Sequence, residues 1–189
     1  MFSLLHTCAD HQSEIACAAD VDSVLSPGSY YLVVDGSGPN QFGRFSFEWH
    51  TQDVSAQEGA CKAAPALVDG QTVRATSSGV HRFNQSCAGR EDGQASPDRI
   101  YRGELKQRAR LHLALATQGW DGAVSIRKAC LDPPHATSAR AAESGCSRTD
   151  SQKKAKIDTT LDAGTYYVVV GGQQSNNQGA FTLEFKVDK

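Results

Sequence analysis

From residue 71 onward, apolar and polar side chains alternate in short runs set between turn formers, the pattern of half-buried strands. Seven runs qualify: 71–76, 99–105, 109–115, 123–129, 154–161, 165–171 and 180–187. VHRF at 80–83 is a shorter eighth. Within 109–115, Leu111, Leu113 and Leu115 share one face, and His112 and Ala114 take the other. Gly119 and Trp120-Asp121-Gly122 separate the third and fourth runs, and Pro27-Gly28 and Ala163-Gly164 turn the chain into two Tyr-Tyr strands. DGSGPNQFG (35–43) and GGQQSNNQG (171–179) read as hairpin loops. Seven or eight strands spaced by turns predict an all-β chain, a β-sandwich of jelly-roll or Greek-key type. The stretch 54–65 fits either a helical turn or a linker, and the polar stretch 142–154 reads as a mobile loop.

The pattern is written twice. Residues 25–49 and 161–185 align without a gap at an offset of 136, with Leu25/Leu161, Gly28/Gly164, Tyr30/Tyr166, Tyr31/Tyr167, Val33/Val169, Gly36/Gly172 and Phe45/Phe181 among the identities. Upstream, FSLLHTC at 2–8 matches VSIRKAC at 124–130, which sets Met1 opposite Ala123. The expected organisation is therefore a tandem repeat with a truncated first copy: 1–53 as the C-terminal half of a first β-sandwich repeat, and 54–189 as a complete second one. About half a module is expected to be missing ahead of Met1, so the upstream part of the same polypeptide is an expected partner. The first residues, MFSLLHTCADHQ, have too short an apolar stretch and no basic region for a signal peptide.

Charge changes the picture little. Lys and Arg number 19 against 21 Asp and Glu, a formal net charge of −2, which provides no electrostatic footprint for nucleic acid or an anionic membrane. No apolar run is long enough to cross a bilayer. Cysteine says more. Six residues, Cys8, Cys17, Cys61, Cys87, Cys130 and Cys146, allow 15 pairings. Cys8 and Cys17 follow the first copy's strand as Cys130 and Cys146 follow the second copy's, so the repeat predicts local bonds Cys8–Cys17 and Cys130–Cys146, leaving Cys61–Cys87. Paired thiols without a redox motif point to a secreted, periplasmic or cell-surface location.

The phrases PGSYYLVVDG and AGTYYVVVGG, each followed by a loop and Gly-x-Phe, with SPDRIYRGEL and WDGAVSIRKAC upstream, resemble the bacterial pre-peptidase C-terminal domain. The resemblance covers the whole second module and the later half of the first. It implies a non-catalytic β-sandwich of the kind appended to secreted proteases, hence an accessory or binding role in stabilisation, targeting or surface interaction. A full-length parent carrying a catalytic domain such as a peptidase fits the same resemblance. Gly103 departs from it, because such domains more usually carry a bulky apolar residue there.

No sequence pattern nominates catalytic chemistry. A nucleophile elbow, a His-Glu-x-x-His motif, a phosphate loop and a dinucleotide fingerprint are all missing, so no catalytic residue and no required cofactor is expected. The six histidines (6, 11, 50, 81, 112 and 135) share no position between the copies and read as strand-face or loop residues. His6, Cys8, His11 and Cys17 have zinc-ligand residue types, but the second copy keeps only the cysteines. Asp98 and Asp121, at strand entrances and able to converge with Glu91 or Asp92, are the candidate calcium ligands. Trp120, beside a turn, is the candidate saccharide-stacking residue, and with calcium it defines the alternative function, a carbohydrate- or calcium-dependent adhesion domain. An exposed Trp120 ringed by polar groups would argue for that alternative and a buried one against it. An extracellular protein or a polysaccharide is the expected external partner. Asn84-Gln85-Ser86 has the form of a glycosylation acceptor.

Overall fold

A computed structural model describes residues 1–21, 23–49, 51, 53–88, 96–131 and 143–188. The chain divides into two compact units, Met1–Thr51 and Gln52–Lys189.

The first unit is a small antiparallel sheet. Strands β1 (Phe2–Leu5), β2 (Glu14–Ala18) and β3 (Tyr31–Val34) lie in the order β2-β1-β3. Asp10 caps a single 3-10 turn at His11–Ser13, accepting from the Gln12 N–H at 3.0 Å, and the chain reverses there into β2. Leu4 and Leu5 are buried, whereas Phe45, Phe47 and Trp49 are exposed. Alternation in FSFEW suggests a strand, but among the described residues this run forms none, because no neighbouring strand in the unit pairs with it.

The second unit is a β-sandwich. Helix α1 (Ser55–Lys62) and the short β4 (Ala66–Leu67) precede eight longer strands: β5 (Gln71–Ser77), β6 (Asp98–Leu105), β7 (Ala109–Thr117), β8 (Gly122–Arg127), β9 (Glu143–Arg148), β10 (Lys154–Leu161), β11 (Gly164–Gly172) and β12 (Gly179–Asp188). One sheet has the order β10-β7-β12-β5 and the other β4-β6-β11-β8-β9. Numbered from β5, the long strands run 6-3-8-1 in one sheet and 2-7-4-5 in the other, so the first and last lie side by side and the chain crosses between layers at nearly every connection. That order is the jelly roll. All pairings are antiparallel except β4 with β6.

The alternation explains the packing. Leu111, Leu113 and Leu115 of β7 meet Val124 and Ile126 of β8, Val168 and Val170 of β11, and Leu183 and Phe185 of β12 in one core. Residues on the reverse face of β11 form a second, smaller layer, in which Val169 joins Ile100 and Phe83. Gly103 has a packing reason: a Cβ there would lie 2.9 Å from the Phe185 ring, which fills the space a bulkier residue would need.

Three expectations about the elements change. GGQQSNNQG is not a hairpin loop, because β11 and β12 belong to different sheets and the loop carries the chain between them. A turn closed by the Asn177 N–H donating to the Gln174 carbonyl at 2.9 Å makes that reversal. VHRF is no strand, since the backbone N–H groups of Arg82 and Phe83 donate to the Asp98 carboxylate instead of to a ladder. The stretch read as a mobile loop contains β9, an edge strand paired along β8, although Ala142 lies outside the described residues.

Candidate functional site

After β5, residues 78–88 run over the outer face of the five-stranded sheet as a strap. Phe83 anchors it, 1% exposed, against Ile100 and Val169, with Ala60, Cys61 and Ala64 of the α1 region packed on the same layer. A strap without strand partners must satisfy its backbone through side chains. Asp98 takes the Arg82 and Phe83 N–H groups, the latter at 2.9 Å. Gln57 on α1 donates to the Arg82 carbonyl. Gln85 donates to the Val169 carbonyl at 2.9 Å and to the Ser125 hydroxyl at 3.3 Å. Arg127 donates to the Asn84 carbonyl, and Glu143 accepts from the Ser86 N–H.

Two buried charges lie beneath. Arg127 and Glu143 are 0% and 3% exposed and sit 3.3 Å apart, with the guanidinium 5.9 Å from the centre of the Phe83 ring. Removing one partner of such a pair leaves an uncompensated buried charge. Sequence reading missed both residues. A charge within the strand-like run AVSIRKA (123–129) was the available signal for Arg127.

Among the described residues, the arrangement nearest to catalytic geometry is His81 with Asp98. His81 Nδ1 lies 3.5 Å from the Asp98 carboxylate and 3.1 Å from the Ser96 carbonyl, while Nε2 faces the Asn84 side-chain oxygen at 3.1 Å. A general base needs its free nitrogen directed at a nucleophile; here that nitrogen meets an amide. The buried Ser96 hydroxyl donates to the Gly172 carbonyl and accepts from the Gly172 N–H, so it too holds backbone. Burial raises the Asp98 carboxyl above the usual carboxylate value, with the Arg82 and Phe83 N–H groups pulling the other way.

Asp98 and Asp121, the candidate calcium ligands, are engaged elsewhere. Asp98 is buried among the strap contacts, and Asp121 pairs with the Lys153 ammonium. Glu91, Asp92, His50 and His135 lie outside the described residues, and the described residues contain no group of three or more His, Cys, Asp or Glu that could hold a metal ion. Trp120 does not present a stacking surface: it is 6% exposed, its ring nitrogen donates to the Ala180 carbonyl at 3.0 Å, and it meets Phe181 edge-on. Its apolar area lies in the core, which argues against the carbohydrate alternative.

The disulfides differ from the expected scheme. The bonds are Cys61–Cys130 and Cys87–Cys146, with Cα separations of 6.1 and 5.7 Å, and Cys8 and Cys17 are free and exposed. The predicted Cys8–Cys17, Cys61–Cys87 and Cys130–Cys146 bonds do not form. The reason is layering: Cys130 and Cys146 both face the outer layer, where one meets α1 and the other the strap. Adjacency in sequence implied a local bond, while each cysteine reaches across the layer instead.

On the opposite sheet, the outward face of β7 presents His112 between Asp158 of β10 and Asp188 of β12, hydrogen-bonded to both. Asp188 first, then Asp158, raises the His112 pKa above its ordinary value, and His112 in turn lowers that of Asp188. This is a solvated cross-strand charge cluster. No helix among the described residues is long and apolar enough to cross a membrane.

Neither a protein-family profile nor a curated protein matches the chain. Among solved structures, it is similar to the pre-peptidase C-terminal domain of a collagenase from Bacillus anthracis, at 13% identity and a TM-score of 0.45 over 65% of this chain and 94% of that one. It is also similar to PliG of Aeromonas hydrophila, a periplasmic inhibitor of g-type lysozyme, at 10% identity and a TM-score of 0.43 over 66% of this chain and 96% of that one.

Proposed function

We propose that this chain is a non-catalytic accessory module of an exported bacterial protein, working by stabilisation, targeting or surface interaction. The strap supports this reading. Its polar groups hold backbone, and both disulfides fasten covering segments to the sheet, a construction suited to an oxidising compartment. His81 and Asp98, the residues closest to a base and its orienting acid, take part in that fastening. The module's partners are then the rest of its polypeptide and an extracellular protein or polysaccharide.

The test is direct. The oxidised chain should give no turnover on protease, esterase and glycosidase panels. Reproducible turnover that vanishes in His81→Ala, in a protein whose thermal transition is intact, would overturn the accessory role. Export has its own arm: directed to the bacterial periplasm, the chain should accumulate in protease-resistant, oxidised form, and in the cytosol it should not. Equal resistance in both compartments would count against export.

A further inference from the structure

The first unit's sheet repeats part of the second unit's sheet, pair for pair. Phe2, Ser3, Leu4 and Leu5 of β1 face Val34, Val33, Leu32 and Tyr31 of β3. Val124, Ser125, Ile126 and Arg127 of β8 face Val170, Val169, Val168 and Tyr167 of β11 in the same sequence. On the other side Ser3 pairs with Cys17 as Ser125 pairs with Cys146, and the register shifts after Leu4 as it does after Ile126. Cys8 lies five residues past Ser3, as Cys130 lies five past Ser125. Tyr30 donates to the Ser26 carbonyl as Tyr166 does to that of Asp162. Cys8 and Cys17 thus occupy the places of two cysteines that, in the second unit, are bonded to α1 and to the strap.

The surroundings differ in one respect. In the second unit, α1 and the strap cover Val169, 0% exposed, while its counterpart Val33 is 43% exposed. Phe45, Phe47 and Trp49 are 65%, 51% and 54% exposed, against 2%, 0% and 3% for Phe181, Leu183 and Phe185. Where Ser125 receives a hydrogen bond from Gln85 of the strap, the Ser3 hydroxyl turns to the Cys17 sulfur at 3.2 Å.

We propose that the first unit is the acceptor half of a sandwich, and that Cys8 and Cys17 are its half-cystines. The occupant is a polypeptide half-module built like residues 54–122, with its own helix, strap and cysteines at the places of Cys61 and Cys87. The added helix bonds to Cys8 and the added strap to Cys17. Each bond forms from two thiols, which release two protons and two electrons to a disulfide oxidant such as glutathione disulfide, itself reduced to two thiols.

The experiment starts from the full chain. Purified without reductant and denatured, it should titrate two thiols, both mapping to Cys8 and Cys17; a Cys8–Cys17 bond, or a dimer linked through either residue, would overturn the proposal. A second protein carries an extra copy of residues 54–122 joined directly to Met1, refolded in glutathione redox buffer. Its titratable thiols should fall to zero, with peptide maps linking Cys8 to the added Cys61 and Cys17 to the added Cys87. Replacing the added Cys61 by Ser should expose Cys8 alone, and replacing the added Cys87 should expose Cys17 alone. Cys8 and Cys17 remaining free in the enlarged protein, whether all four thiols stay reduced or the added cysteines bond to each other, or crossed links, would refute the assignment.

Discussion

Asp98 shows how one side chain can stand in for a strand. Its carboxylate receives the N–H groups of Arg82 and Phe83, donors that a ladder would otherwise satisfy. Asp98→Ala should therefore lower stability by about 2–4 kcal/mol, since buried donors left unmet each cost about 1–3 kcal/mol. Asp98→Asn, which keeps an acceptor, should lose about half as much. Urea denaturation separates the two, and equal losses would mean that charge, not the acceptor, matters. His112 makes a different kind of contribution, through protons. Its folded pKa is raised above 6.5 by Asp188 and Asp158, so the folded state favours the imidazolium. The stability it adds is fully present below 6.5 and disappears as pH rises through the folded value. The Asp188 pKa is lowered below 3.8, so that carboxylate's contribution is lost only as pH falls through its depressed value. Denaturation of His112→Asn should show a deficit below pH 6.5 that closes as pH rises through the folded value and shrinks in high salt, because the cluster faces solvent. A deficit independent of pH would rule out this role.

At the scale of elements, legibility follows from which signal each segment carries. The strands of the jelly roll announce themselves through period-two alternation, as in Leu111, Leu113 and Leu115, because one face must be buried. β9 carries no such signal: it is an edge strand whose Gly145 sits under Ile157 with little room for a side chain. The strap is equally silent, since its order comes from Gln57, Asp98, Arg127 and Glu143, residues that lie outside it in sequence. The repeat set the cysteines of the two copies at corresponding positions, yet it could not tell a local bond from two bonds that each cross a layer. Those crossing bonds span 59 and 69 residues, and closing loops of that length removes denatured-state entropy worth about 4 kcal/mol each in the chain-entropy account. Cys87→Ser with Cys146→Ser should release the strap and lower stability by about 2–4 kcal/mol, with faster amide exchange at Phe83 and Gln85. Cys61→Ser with Cys130→Ser should free α1 first. Unchanged exchange in both double variants would show that packing alone fixes the outer layer.

For the whole molecule, the contrast between the units decides independent stability. The second unit closes a core between two sheets, with Val124, Ile126, Val168 and Leu183 all at 0% exposure. The first has three strands among its described residues, buries Leu4 and Leu5, and leaves Phe42, Phe45, Phe47 and Trp49 in solvent. A sheet so small needs a covered apolar face to persist, and open edges invite pairing with other chains. Residues 54–189 expressed alone should therefore unfold as a monomer in one cooperative transition. Residues 1–53 alone should be disordered or self-associate, with collapsed amide dispersion or concentration-dependent light scattering. A dispersed, monomeric NMR spectrum and a sharp thermal transition from that short chain would show that three strands suffice, and the first unit would then be a complete fold instead of half of one.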